Sequence, residues 1–200
     1  MKKIIFTILI LLVFSLCACT NNPNTISEAK LTKREKVILS TTSYRSFIYD
    51  FNVDSSYKKL SVWVEKYEFG KLVENKISQI TTGIKDNGTI IFAISKTLNN
   101  QNQDQSVFTN SINSDGALSE SNSLETIMNG GIEGVMGISS SNQTENMPIK
   151  NNIVLASMCY QKGVHGMYAL TDDFYRDVNK HISEIKDYDV VYLFRAEFTK

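Results

Sequence analysis

An apolar run opens the chain, Ile4 to Leu16, interrupted only by Thr7 and Ser15. A polar stretch without period follows, Thr20 to about Lys33, and reads as a flexible tether over residues 19–33. Strand signals begin near Lys36. From Arg45 to Val53 the pattern has period two: Phe47, Tyr49, Phe51 and Val53 share one face, while Ser46, Asp50 and Asn52 lie on the other with Ile48. Alternation of that kind predicts a half-buried strand. Leu60 to Phe69 sets Leu60, Val62 and Val64 on one face and Trp63, Tyr67 and Phe69 on the other. Phe69-Gly70-Lys71 predicts a hairpin turn into a strand starting at Leu72, and Asp86-Asn87-Gly88 a second turn into Thr89–Ser95.

Asn99 to about Ser123 turns rich in Asn, Gln, Ser and Asp. Val107 and Phe108 point to one strand there and Asp115-Gly116 to a turn, with a partly mobile loop as the rival reading. Gly130, Gly131 and Gly134 break the next segment, and Asn142 to Lys150 reads as a polar loop. Ile153–Tyr160 and Asp189–Phe198 predict two further strands. Thr171, followed by Asp172 and Asp173, has the chemistry of a helix start, so one helix is expected from there to about Lys186. Seven to nine short strands and one short helix near the C-terminus predict a mostly β domain over residues 34–200. The expected architecture is an antiparallel β-sandwich, with an immunoglobulin-like sandwich or a barrel among the candidates.

The first residues set the address. Lys2 and Lys3 precede the apolar run, which as a helix spans about 20 Å against a hydrocarbon core of about 30 Å. Positive charge, a short apolar run and then small residues form the layout of a secretory signal peptide. Leu16-Cys17-Ala18-Cys19 resembles the bacterial lipobox: Leu16, Ala18 and Cys19 match, and Cys17 fills the second position. The resemblance implies removal of residues 1–18, a diacylglyceryl thioether on Cys19 and a lipid anchor on the extracytoplasmic face of the membrane. Two acyl chains hold firmly where one binds marginally. The Leu60–Glu74 stretch and YDVVYLFRAEF at Tyr188–Phe198 are similar to stretches of uncharacterised lipoproteins of low-GC Gram-positive bacteria, which implies the same address and no particular activity.

Charge narrows the partners. The full chain carries 21 basic and 21 acidic residues; without Lys2 and Lys3 the count is 19 against 21, a formal charge of −2. No basic surplus exists to grip nucleic acid, and no polybasic stretch follows Cys19. Cys159 is the one thiol left after processing and lipidation, so no internal disulfide can form. His165 and His181 lie at no recognisable zinc spacing from it, and no metal or other cofactor is expected.

Candidate chemistry is sparse. Cys159 with His165 is the one thiol–imidazole pair, with Asp172 or Asp173 as a third member, and defines a hydrolase alternative. The competing reading packs Cys159 as a small hydrophobe beside Val154, Leu155, Met158 and Tyr160. Ser-x-x-Lys occurs at Ser55–Lys58, Ser56–Lys59 and Ser183–Lys186, a number that abundant Ser and Lys supply by chance. Asn113-Ser114-Asp115-Gly116 resembles the middle of a calcium loop, but Ser111 and Asn122 occupy its two end positions, which favours an ordinary Asp-Gly turn. The stripe Trp63, Tyr67, Phe69 is expected to form half of the sandwich core. The leading expectation is a non-enzymatic binding or interaction module of the cell envelope, with ligand residues undefined; a structural or regulatory envelope protein without a small ligand is a further alternative.

Overall fold

The computed structural model describes residues 24–97, 105–127 and 134–200. The expected signal peptide and Cys19 lie outside these residues. Among the described residues eleven strands form two antiparallel sheets packed as a sandwich. In chain order they are β1 (Thr25–Glu28), β2 (Arg45–Asn52), β3 (Lys59–Glu68), β4 (Lys71–Gly83), β5 (Asn87–Lys96), β6 (Gln105–Ser114), β7 (Ala117–Thr126), β8 (Val135–Ser141), β9 (Met147–Pro148), β10 (Ile153–Lys162) and β11 (Val190–Thr199). One sheet runs β7-β6-β5-β2-β1-β9 and the other β4-β3-β11-β10-β8. The strand count exceeds the seven or nine of an immunoglobulin domain.

The period-two segments dictate the core. Phe47, Tyr49 and Phe51 of β2 face Val62 and Val64 of β3 and Tyr192, Phe194 and Phe198 of β11 across the sandwich. Rings dominate the middle layer: Phe194 lies 5.0 Å from Phe47 and 5.3 Å from Phe92, and Phe108 lies 5.2 Å from Tyr192. Such tilted pairs add about 0.5–1.5 kcal/mol each beyond the area they bury. β10 and β11 are apolar on both faces because a second cluster covers their outer side, where Leu170, Phe174, Ile185 and Tyr188 pack on Val154, Cys159, Val191 and Leu193.

Turn chemistry fixes the hairpins. Phe69 and Gly70 join β3 to β4, and Asp115 and Gly116 join β6 to β7, all four with positive φ, as two-residue turns of the mirror-image type require. The Asn99–Ser123 region is therefore ordered from Gln105 onward as a long hairpin, not a mobile loop. Asn87-Gly88 is no turn. It is the first pair of β5, opposite Asn52 and Phe51, and the turn residue with positive φ is Asp86. Gly88 is required for space: a Cβ there would collide with the Phe51 ring and the Asn113 carbonyl. β4 bulges at Lys76 and Ser78, both with positive φ, and closes over the other sheet. There the buried Asn110 amide donates to the Ser78 carbonyl at 2.8 Å and the Ser78 hydroxyl to the Ser121 carbonyl at 2.6 Å.

Three further expectations need correction. The flexible tether does not extend through residue 33. Thr25–Glu28 is a strand, with Ile26 buried to 1% between Phe51 and Met147. Polar neighbours hid it, because a four-residue strand with one inward side chain leaves no periodic trace. Lys33–Thr42 is a helix, α1, although the residue pattern from about Lys36 points to a strand. Its start is a capping box: the Thr32 hydroxyl accepts from the Glu35 N–H, and Glu35 accepts from the Thr32 N–H at 2.7 Å. The C-terminal helix starts at Thr171 as expected but is broken into α2 (Asp172–Arg176), α3 (Val178–His181) and a 3₁₀ turn (Ile182–Asp187). Asp177 leaves helical geometry with φ −146° and caps α3.

Candidate functional site

An open cleft of about 590 Å³ lies on the outer side of the sheet that contains β8, β10 and β11. Its floor is Ile153, Val154 and Arg195; the β9–β10 linker forms one wall and the junction of α2 and α3 the other. A volume of that size holds a small ligand.

The walls are held by polar side chains. The buried Tyr175 hydroxyl on α2 sits 2.6 Å from Ser140 Oγ on β8 and 2.8 Å from Ser157 Oγ on β10, which pins the helix to two strands. Burial pushes the Tyr175 phenol above its usual range, so it stays a neutral hydroxyl. Asp177 ends α2, where its N–H donates to the Asp173 carbonyl at 3.0 Å, and turns the chain so that Asp177, Val178 and Asn179 line the cleft. Lys150 Nζ reaches the Arg176 carbonyl at 3.5 Å and ties the two walls.

The floor is electrostatic. Arg195 donates Nε to Glu65 Oε2 at 2.6 Å and Nη1 to Asn152 Oδ1 at 2.9 Å. Glu65 also accepts from Trp63 Nε1 at 3.2 Å and from the Tyr67 hydroxyl at 2.8 Å. Glu65 and Arg195 side chains are each 11% exposed, so Glu65 neutralises the floor in a low-dielectric setting. Arg176 pairs with Asp173 and Lys180 with Asp177. Among the described residues Lys150 makes no salt bridge, which leaves it as the unpaired cation of the cleft.

The residues singled out from sequence lie elsewhere. Cys159 is 1% exposed inside the cluster beneath the C-terminal helices, and burial pushes its thiol up to about 12. His165 is exposed in the loop after β10, and no hydrogen bond joins it to Cys159. A protonated thiol without a base has no nucleophilic chemistry at neutral pH. Ser55, Ser56, Lys58 and Lys59 belong to the β2–β3 connection and the start of β3, where Lys58 Nζ donates to the Ser55 carbonyl. Asp115-Gly116 is the β6–β7 turn, and Asp115 pairs with Lys85 at 3.0 Å. Trp63 and Tyr67 are on the outer face of β3, away from the sandwich core formed by Leu60, Val62 and Val64. Phe69 is 67% exposed because it occupies the turn. Among the described residues no group of three His, Cys, Asp or Glu is placed to hold a metal, and no helix is long and apolar enough to cross a membrane.

Arg195 and Glu65 were missed from sequence, although a signal existed. Glu65 shares its face of β3 with Trp63 and Tyr67, and Arg195 follows Val191 and Leu193 on its face of β11; charges among such side chains need a partner.

A family model for the YgaN domain matches residues 25–198, and the chain belongs to that family. The matched range begins at β1 and ends in β11. No curated protein and no solved structure matches the chain.

Proposed function

We propose that this YgaN-domain chain is a lipoprotein of the cell envelope, held on the extracytoplasmic face of the membrane by lipid on Cys19. Its sandwich is a non-enzymatic binding module that takes its ligand in the Arg195 cleft. The observation that carries the binding reading is the cleft lining itself. It offers the amides of Asn152 and Asn179, the Thr144 hydroxyl, the Lys150 ammonium and apolar ground from Met147, Pro148 and Val154, with no Ser, Cys or His among its residues. Amides and hydroxyls over an apolar floor suit a sugar or peptide fragment of a wall polymer, and Lys150 suits an anionic group on it. The address rests on the short apolar run after Lys2-Lys3 and on Leu16-Cys17-Ala18-Cys19.

A thermal-shift screen against sugars, wall fragments and peptides tests the binding reading. A ligand at a hundred times its dissociation constant raises the midpoint by about 5–10 °C. Asn179→Trp, which fills the cleft, abolishes that shift. A shift that survives Asn179→Trp, or a flat screen, removes the cleft as the ligand seat. For the address, Cys19→Ala releases the protein or leaves an uncleaved precursor. Unchanged membrane retention with normal processing refutes the anchor.

A further inference from the structure

We propose that the open edge of β8 is a self-association surface, where a second copy of this chain adds its own β8 antiparallel and joins two five-stranded sheets into one. The inference is independent of both the cleft and the lipid anchor.

A sheet edge is a row of unpaired N–H and C=O groups, and folded proteins blunt it with charge, proline, bulges, short strands or a cover. Among the described residues the two sheets have four edge strands, β7 and β9 in one, β4 and β8 in the other. Two of them cover each other. The Ser78 hydroxyl of β4 donates to the Ser121 carbonyl of β7 at 2.6 Å, and Ser119 Oγ of β7 donates to Thr82 Oγ1 of β4 at 3.0 Å. β4 also carries Lys71, Glu74 and Lys76 and shifts register against β3, while β7 carries Glu120 and Glu125. β9 is two residues long, and one of them is Pro148. β8 has none of these devices. It reads Val-Met-Gly-Ile-Ser-Ser-Ser, without charge or proline, and pairs with β10 from Val135 to Ser141 without a register shift.

The ladder to β10 dictates which groups are free. In an antiparallel pair every second residue exchanges both of its bonds with the residue opposite. Just beyond the two ends of β8, the Gly163 N–H donates to the Gly134 carbonyl at 2.9 Å and the Asn142 N–H to the Leu155 carbonyl at 2.7 Å, in the same register as the strand between them. The even-numbered residues of β8 therefore bond β10. The N–H and C=O groups of Val135, Gly137 and Ser139 point out of the sheet. Beyond them the Ser141 hydroxyl donates to Glu28 at 2.9 Å, which marks where β1 of the other sheet comes alongside. Gly137 is exposed, and Met136 keeps 38% of its surface in solvent.

Such an edge recognises an extended backbone, and the side chains of β8 select a second copy of itself. Two-fold pairing sets each residue against a residue of the same strand, so a charged strand would meet its own charges. β8 has none to meet. With Gly137 on the two-fold axis, Val135 lies opposite the partner's Ser139 and Gly137 opposite the partner's Gly137. The free groups of all three residues are then satisfied, by about six bonds in all. The same register sets Met136 across from the partner's Ile138. Both point to the outer face, where Ile138 already packs against the cluster under the C-terminal helices, so the exposed thioether gains an apolar neighbour.

The test uses the full chain, first in the cells that express it. Val135→Cys and Ser139→Cys are made as separate variants, with the unsubstituted chain as control, and a mild oxidant is added. Residues of a hydrogen-bonded pair lie about 5.5 Å apart at Cα, within reach of a disulfide. Co-expression of the two variants gives a covalent dimer, and each variant alone gives no more than the control. Crosslinking by either variant alone, or none in the mixture, overturns the pairing. Light scattering on the purified full chain in detergent then reads the mass, which is that of two copies. Ser139→Pro removes an outward N–H and spares the ladder to β10, so the melting midpoint of the dilute monomer stays in place. It deletes one bond from each copy and weakens the dimer about thirtyfold. If Ser139→Pro harms the fold, Met136→Lys at its exposed position serves instead, setting a cation against the partner's Ile138 and driving the mass to one copy. A single-copy mass for the unsubstituted chain sinks the proposal and leaves the edge to a strand of another protein. A dimer that survives in the folded Ser139→Pro or Met136→Lys chain sinks it as well.

Discussion

Arg195 on β11 donates its Nε to Glu65 on β3 across 2.6 Å, on the outer face of a sheet whose inner face is the sandwich core. The two residues are not directly opposed. Arg195 faces Trp63 in register and Glu65 faces Leu193, so the guanidinium reaches diagonally along the sheet and leaves Nη1 for Asn152. The pair joins the floor of the cleft to its rim.

Breaking that pair from one side costs more than removing both members. Glu65→Ala leaves the Arg195 charge nearly buried, together with the Trp63 N–H and the Tyr67 hydroxyl, at about 3 kcal/mol. For a domain of this size that is a fall in melting midpoint of about 6–12 °C. Glu65→Leu/Arg195→Met loses less than either single change, because no charge is stranded. Thermal melts of the four proteins decide it; additive losses would mean that the pair is not coupled.

Gly88 tests the packing of β5 against β2 and β6. Gly88→Ala drives a methyl into the Phe51 ring and the Asn113 carbonyl, at about 2–3 kcal/mol. Gly116→Ala meets nothing within 4 Å and costs only the strain of φ +74°, about 1 kcal/mol. Urea denaturation should rank the two in that order. The reverse order would show that turn strain, not steric fit, governs this sheet.

Alkaline pH should unfold the domain through its buried acids. The folded Cys159 thiol keeps its proton to about 12, whereas an exposed thiol releases it near 9.0. Its contribution is complete below pH 9 and is lost as pH rises toward 12. Burial raises the phenols of Tyr49, Tyr160, Tyr175 and Tyr192 in the same direction. Circular dichroism against pH should show a cooperative loss between about 9 and 12, with phenolate absorbance rising in the same step. In the folded protein Cys159 should resist a thiol reagent at mildly alkaline pH and react once denaturant is added. Rapid labelling of the native state would contradict its burial.

How much of this was readable in the sequence follows from physical range. A strand whose side chains alternate, such as Arg45–Asn52, announced itself, because burial on one face writes period two into the residues. Thr171 announced a helix start because capping is local. What failed depends on distant partners. Asn87-Gly88 has turn chemistry but serves as strand, since its glycine answers Phe51 from another strand. Trp63 looked like core because two-faced strands do not say which face meets the other sheet; that face carries Leu60, Val62 and Val64. The cleft is made by Arg195 and by the Asp177 break in the helix, and neither has a local signature for binding. The capping box at Thr32–Glu35 is a local helix signal, masked by the strand-like apolar Val37-Ile38-Leu39 that follows it.

The four residues of β1 set where the domain begins, and truncation tests it. A chain starting at Lys33 lacks Ile26, whose burial is worth about 2–3 kcal/mol, and leaves the β2 edge unpaired. It also strands β9, which in its sheet pairs with β1, so Met147 loses its place in the core and the linker wall of the cleft loses its support. Lost ladder bonds at about 1 kcal/mol each bring the sum above about 5 kcal/mol, comparable with the whole stability of a domain. The chain from Lys33 should therefore give no cooperative melt and no fixed near-ultraviolet dichroism, while a chain from Pro23 melts like the full domain. Equal melting of the two would show that β1 is an ornament on a fold that starts at α1, and would return Thr25–Glu28 to the tether.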